Sequence, residues 1–134
     1  NSFEAEAPML LENCALTYSK SYYIDFLHNI QFDTIPSKLI IERLIKAFRE
    51  GFCKERLAYS FIYTMAKSII TLSRKHNTNT IACSGGVFQN SLLVSILSRL
   101  SKNHKIKLKL NCKLSANDEN ISFGQLMYFQ NIKN

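Results

Sequence analysis

The chain has 134 residues, of which 46% are hydrophobic and 20% charged, which is the size and composition of one globular domain. Its apolar residues occur in short runs, far below the roughly 20 consecutive residues that a membrane-spanning helix needs, so we predict no membrane span and no membrane partner. The net charge of +7 suits an anionic ligand, a nucleic acid or an acidic partner, but a composition rich in lysine would produce the same charge.

The first part of the chain predicts a helix and then two strands. Residues 4–18 have helical spacing with acids near the start, which suit the helix dipole. Acids at this position are untypical of a secretory or organellar signal, so we expect a cytoplasmic location. Residues 21–34 are rich in Tyr, Phe and Ile and predict two short strands or a hairpin around His28 and Asn29.

The middle of the chain predicts two helices and a β-loop-α unit. Residues 36–51 are amphipathic between a proline and a glycine, which predicts a surface helix. Residues 54–76 carry an apolar arc too wide for an exposed helix, so this helix should be central. Residues 78–83 predict a buried strand that runs into a glycine pair and a helix that begins between 88 and 90.

The last part of the chain predicts an edge strand and a final helix. Residues 105–110 alternate lysine with apolar residues, which favours a half-buried edge strand with a solvated lysine face over a nucleic-acid-binding stripe. Residues 115–120 form a polar loop before a helix over 121–131. No repeat or linker divides the chain, so the sequence predicts one α/β domain.

Four cysteines are spread along the chain: Cys14, Cys53, Cys83 and Cys112. No CxxC pair and no local Cys/His spacing predicts a metal site. We expect buried, reduced thiols, with two disulfides as the alternative.

The adjacent glycines Gly85 and Gly86 follow a predicted strand and precede a helix. Such a pair lets the backbone approach a ligand, and the helix N-terminus favours an anion, which indicates a nucleotide or phosphate loop. The spacing is neither GxGxxG nor a P-loop, so a tight structural turn is the alternative. Ser84 would need a nearby base to act as a nucleophile, and sequence places no histidine there, so we assign no catalytic residue.

Four sequence strings resemble those of one enzyme family. Residues 84–93 read Ser-Gly-Gly-Val-Phe-Gln-Asn-Ser-Leu-Leu and are followed by Asn-Asp at 117–118 and Ile-Ser-Phe-Gly-Gln at 121–125. Residues 3–12 read Phe-Glu-Ala-Glu-Ala-Pro-Met-Leu-Leu-Glu. These strings resemble the C-terminal end of the HypF-type carbamoyltransferases, which mature nickel-iron hydrogenases. The related tRNA threonylcarbamoyladenosine transferases usually have two alanines where this chain has Phe88 and Gln89.

The resemblance implies an α/β fold, namely the second lobe of an actin-like, ribonuclease-H-like ATPase domain with a small mixed sheet packed by helices. Residues 1–134 would form this single lobe as a fragment of a larger protein, because the sequence starts inside a motif without an initiating methionine. We therefore expect the chain to be inactive by itself.

The resemblance also implies a function in ATP-dependent carbamoyl transfer. ATP and carbamoyl phosphate give a carbamoyl-adenylate, and the carbamoyl group passes to the C-terminal cysteine of a HypE-like protein. Carried over by position, Ser84, Gly85, Gly86 and Asn90 would line the nucleotide pocket. Asp118 would match the aspartate of the family's Asn-Asp-Gly-Gly motif and help to hold a divalent metal ion beside the phosphates. Without the resemblance, this aspartate is equally typical of a turn or a helix cap.

Four positions depart from the family's pattern. Glu119 and Asn120 stand where the family has two glycines, Ala5 replaces a glycine, and Ile62 replaces a histidine. Two alternatives therefore stay open. The first is a relative that acts on tRNA or a small molecule. The second is a non-catalytic module that binds a nucleotide or a partner.

Overall fold

A computed structural model describes residues 5–19, 22–111 and 121–132. These residues form five α-helices, two short strands and one turn of 3-10 helix, so the predicted α/β class is confirmed. The elements, in chain order, are α1 (Glu6–Leu16), α2 (Ser37–Arg49), α3 (Lys54–Lys75), β1 (Thr80–Ala82), the 3-10 turn (Gly86–Gln89), α4 (Ser91–Asn103), β2 (Lys107–Lys109) and α5 (Ile121–Ile132). Within this part of the chain, no helix combines the length and apolarity needed to cross a bilayer.

Helix α3 is central, as its wide apolar arc predicts. It packs against α1, α2 and α4, and its buried side chains lie on several faces. One core joins α3 to α1, α4 and the sheet, and a second joins α3 to α2 and the segment before it. The described helices α1, α2 and α3 agree with the predicted ranges to within about two residues, which is the ordinary disagreement at helix ends.

The hairpin predicted over 21–34 is wrong for the described residues 22–34, which contain turns and irregular backbone. Two backbone donors that a strand partner would have engaged bond instead to hydroxyls on α3. Ile24 N donates to Ser60 Oγ at 2.9 Å, and Phe26 N donates to Thr64 Oγ1 at 3.1 Å. Two residues of extended chain span roughly 6.6 Å and four helical residues roughly 6 Å, so the donors and acceptors match in spacing.

Strands β1 and β2 form a two-stranded parallel sheet, connected through α4, rather than the mixed sheet that we expected. Its inner face carries Ile81 opposite Leu108, and both are half-buried. Thr80 and Ala82 are exposed, so the prediction that this strand is buried is wrong. The described helices cover only one face of the sheet, which leaves alternate residues of both strands in solvent. The alternation predicted for β2 is confirmed, since its lysines are exposed.

Three cysteines lie in the described residues, and all three are free thiols. Cys83 is buried and Cys14 is half-buried, but Cys53 is exposed just before α3. The expectation of reduced thiols is confirmed for these three residues, and the expectation of burial is wrong for Cys53. Cys112 lies outside the described residues.

Candidate functional site

The candidate site is the loop between β1 and α4, and Cys83 fixes where it begins. Cys83 N donates to Lys109 O on β2 at 2.9 Å, which extends the strand pairing by one residue. Burial of the side chain raises the pKa of the Cys83 thiol. Its backbone bond to β2 makes Cys83 the anchor of the loop, and the raised pKa disfavours the reactive thiolate form.

Gly85 forms a bend that requires glycine. Its backbone has φ 102° and ψ 159°, a region that residues with a Cβ atom avoid. The Gly85 carbonyl accepts a hydrogen bond from Phe88 N at 3.0 Å, which closes the 3-10 turn. Phe88 packs against the main core and holds the turn in place. The backbone conformation of the bend therefore explains why residue 85 is a glycine, without any ligand.

Gly86 is different, because nothing in the described fold requires a glycine there. Its φ is not in the positive range, and an added Cβ atom would meet only Gln89 Oε1, at 4.0 Å. The neighbouring Val87 side chain is 69% exposed. The loop surface at Gly86 is thus open to close approach by another molecule, as in loops where the backbone contacts a nucleotide.

Asn90 is the N-cap of α4. Its Oδ1 accepts a hydrogen bond from Leu93 N at 2.7 Å. This contact uses the side-chain oxygen of a residue that the sequence assigns to the nucleotide pocket. The Asn90 side chain therefore fixes the end of the loop through this hydrogen bond.

Sequence reasoning missed a second group at this junction, the carboxylate of Glu12 on α1. Glu12 Oε1 accepts hydrogen bonds from Ser91 Oγ at 2.6 Å and Leu92 N at 3.1 Å. The bonded residues are 79 and 80 positions apart, so no local pattern could reveal the contact. The one available signal was that Glu12 closes the opening family-like string.

Ser84 is exposed, and no hydrogen bond to its hydroxyl is formed within the described ranges. His104 follows the C-terminus of α4, whereas the loop precedes its N-terminus, and 13 helical residues span roughly 20 Å. His76 ends α3, and His28 lies in a turn of the segment before α2. The geometry therefore gives no reason to assign a nucleophile and base here.

The predicted metal ligand Asp118 and its neighbours Glu119 and Asn120 lie outside the described residues. In the part of the chain that is described, no group of three or more His, Cys, Asp or Glu side chains is arranged to hold a metal ion. The role of Asp118 stays a prediction.

Two of the departures from the family's pattern lie in described residues. Ala5, in place of a glycine, has φ 65° and ψ 7°, the left-handed conformation that glycine adopts without strain. Ile62, in place of a histidine, is 4% exposed and belongs to the main core. The first departure adds backbone strain next to α1. The second puts an apolar core side chain where the family has an ionisable one.

A separate cleft of about 170 Å³ lies between α3 and the segment before α2. Its charged groups pair with each other, since Lys67 bonds to Asp25 Oδ2. Asp25 Oδ1 also accepts a hydrogen bond from Leu27 N at 3.0 Å. Ligand pockets usually occupy about 300 to 1,000 Å³, so this cleft is too small for a nucleotide.

Comparison with known proteins identifies the family of the chain. The protein-family model described as "Carbamoyltransferase, Kae1-like Domain, second subdomain" matches residues 1–125. No curated protein sequence gives a significant match. The matched range includes the loop and four of the five described helices in full.

A solved structure has the same fold. The chain superposes on a crystal structure of full-length HypF in its phosphate- and nucleotide-bound form with a TM-score of 0.72 and 25% sequence identity. The alignment covers 93% of this chain but only 17% of the HypF chain. Because the family model matches nearly the whole sequence, the chain belongs to the HypF-type carbamoyltransferase family, as a second subdomain of the Kae1-like domain.

Proposed function

We propose that the loop from Ser84 to Asn90 forms one wall of a nucleotide site and receives the adenosine part of ATP. The observation that carries this proposal is at Gly86. The fold has room for a side chain there, so the glycine is not needed for packing and its backbone is open to a ligand. Gly85 shapes the bend, Asn90 fixes the start of α4, and Ser84 offers an exposed hydroxyl. The similar HypF structure is in a phosphate- and nucleotide-bound form, which supports nucleotide binding by this chain.

We propose that this wall serves carbamoyl transfer in hydrogenase maturation. In that reaction, carbamoyl phosphate, ATP and water give a carbamoyl-adenylate with release of inorganic phosphate and pyrophosphate. The C-terminal cysteine thiolate of a HypE-like acceptor then takes the carbamoyl group, and AMP leaves. The residues of this chain would hold and orient the nucleotide. Asp118 would hold a divalent metal ion, whose charge would offset that of the phosphates. Membership of a carbamoyltransferase family supports this chemistry.

We propose further that residues 1–134 act as one lobe of a larger domain and do not catalyse the reaction alone. The chain spans 17% of the HypF chain that it resembles, and its family model describes a second subdomain. No acid-base pair lies at the loop within the described residues. Helix α5 is exposed along its length although it is rich in apolar residues, as expected of a helix that packs on a missing neighbour.

A second candidate function is a non-catalytic nucleotide-binding module. Two departures from the family's pattern favour it. Ala5 replaces a glycine and has a strained backbone, and Ile62 replaces a histidine and is buried in the core. Both candidates require nucleotide binding at the loop, so they differ only in whether carbamoyl transfer follows.

An NMR titration of the chain with Mg-ATP tests the shared requirement. We expect shifts that cluster at residues 84–90 in the wild type and are lost in Gly86→Val, because the added side chain fills the approach to the backbone. The matched control is Ser95→Val, which adds bulk at an exposed position of α4. Gly86→Val should keep wild-type thermal stability, since its Cβ atom meets no close neighbour. Shifts located elsewhere, or unchanged binding by Gly86→Val, would contradict the assignment.

A further inference from the structure

The hydrogen bonds of Glu12 close the N-terminus of α4. A helix leaves its first four N–H groups without partners inside the helix. At α4, three of these four have acceptors: Asn90 N bonds to Val87 O at 3.2 Å, Leu92 N to Glu12 Oε1 and Leu93 N to Asn90 Oδ1. The N–H groups of Leu92 and Leu93, which could otherwise bind an anion, are therefore already occupied.

The charge of Glu12 has the sign that this position favours. The first turn of a helix carries a partial positive charge, and a carboxylate there is stabilised both by the dipole and by charge-assisted hydrogen bonds. Glu12 is half-buried and forms no salt bridge within the described ranges. The groups that stabilise its negative charge are the donors and the partial positive charge at the N-terminus of α4.

Glu12 also links two parts of the molecule that meet at the candidate site. It lies on α1, and the groups that it binds directly follow the loop. The loop is also held by the β2 pairing of Cys83, by the packing of Phe88 and by the Asn90 cap, and the Glu12 contact adds an attachment to α1.

We propose that Glu12 is a positioning residue for the nucleotide loop and that its carboxylate excludes other anions from the N-terminus of α4. The positioning part rests on the proposed nucleotide site, whereas the exclusion of anions does not depend on it. An incoming phosphate would have to displace a carboxylate that is already bonded to Ser91 Oγ and Leu92 N. Phosphate groups of a bound nucleotide therefore lie away from the first turn of α4.

The test compares Glu12→Ala with Glu12→Gln in two NMR titrations of the chain, one with adenosine and one with inorganic phosphate. Glutamine keeps an oxygen acceptor in the same place, whereas alanine removes it. Glu42→Ala, an exposed carboxylate on α2, is the matched control. Ser91→Ala removes one of the two donors and serves as a milder variant if Glu12→Ala does not fold.

We expect Glu12→Ala to weaken adenosine binding about tenfold, Ser91→Ala to weaken it about threefold, and Glu12→Gln to remain within about twofold of the wild type. With inorganic phosphate, the amide of Leu92 should shift in Glu12→Ala only, because loss of the carboxylate frees this N–H for the anion, whereas Leu93 N keeps its bond to Asn90 Oδ1. Rescue by glutamine together with gained phosphate binding would not follow from a general loss of stability.

Two results would overturn the inference. One is wild-type adenosine affinity in a folded Glu12→Ala variant, and the other is phosphate binding at the Leu92 amide of the wild type. A wild-type chain that binds no adenosine would instead contradict the proposed function and the positioning role. The phosphate titration would still decide whether Glu12 excludes anions.

Discussion

Ala5, which replaces a glycine of the family, has an unfavourable backbone conformation. The sequence marks it as a departure because the family has a glycine at this position. The structure adds the physical consequence, a left-handed backbone directly before α1. A residue with a Cβ atom pays about 1 to 2 kcal/mol for this conformation, so the substitution places strain at the start of the helix.

We predict that Ala5→Gly raises the free energy of unfolding by about 0.5 to 1 kcal/mol. Relief of the left-handed strain exceeds the entropy that glycine gains in the unfolded chain. Urea unfolding followed by circular dichroism measures the change. The comparison variant Ala7→Gly, at an exposed position within α1, relieves no left-handed strain and should not show the gain. Equal stability of Ala5→Gly and the wild type would contradict the strained conformation.

At the candidate site, local features could be predicted and distant ones could not. Gly85 and Gly86 are adjacent, and their position between a strand and a helix can be read directly from the sequence. The sequence does not show why each position is glycine. Only the structure shows that Gly85 has backbone angles that favour glycine, whereas neither the backbone angles nor the neighbouring atoms require glycine at Gly86. Glu12 was missed because its contact joins residues 79 positions apart.

Among the elements, helices could be predicted better than strands. Helical spacing of apolar residues located α2 and α3 correctly, since their burial repeats within a single element. The segment before α2 has the aromatic and β-branched composition of strands, but α3 offers the buried hydroxyls of Ser60 and Thr64 as acceptors. Those hydroxyls stand four residues apart and replace the ladder of a second strand. Composition alone cannot show such a competitor.

We predict that Thr64→Val destabilises the protein by about 1 to 3 kcal/mol. Valine preserves the shape of the side chain but leaves the buried Phe26 N without an acceptor. Thermal unfolding measures the loss, and amide hydrogen exchange should show faster exchange at Phe26. Thr71→Val, on the same helix but at a half-buried position, is the control and should change stability less. Unchanged protection of Phe26 in Thr64→Val would contradict the role of this hydroxyl.

At the scale of the whole molecule, the described residues leave apolar surface uncovered. Its sheet has two strands with one covered face, and α5 exposes apolar side chains that include Phe123, Leu126 and Phe129. Isolated two-stranded sheets are marginal, and parallel sheets are ordinarily covered on both faces. These features fit the second subdomain that the family model describes, and they agree with our proposal that this chain acts as part of a larger domain.

The most direct test of the central claim is carbamoyl transfer to the C-terminal cysteine of a HypE-like acceptor peptide, measured by mass spectrometry with ATP and carbamoyl phosphate present. The assay compares the 134-residue chain with a longer protein in which this lobe is joined to the preceding lobe and domains of the family. We predict transfer by the longer protein, at least about tenfold loss of kcat/KM for ATP in its Gly86→Val variant, and no transfer by the chain alone. Transfer by the isolated chain, or full activity of the Gly86→Val protein, would contradict the account.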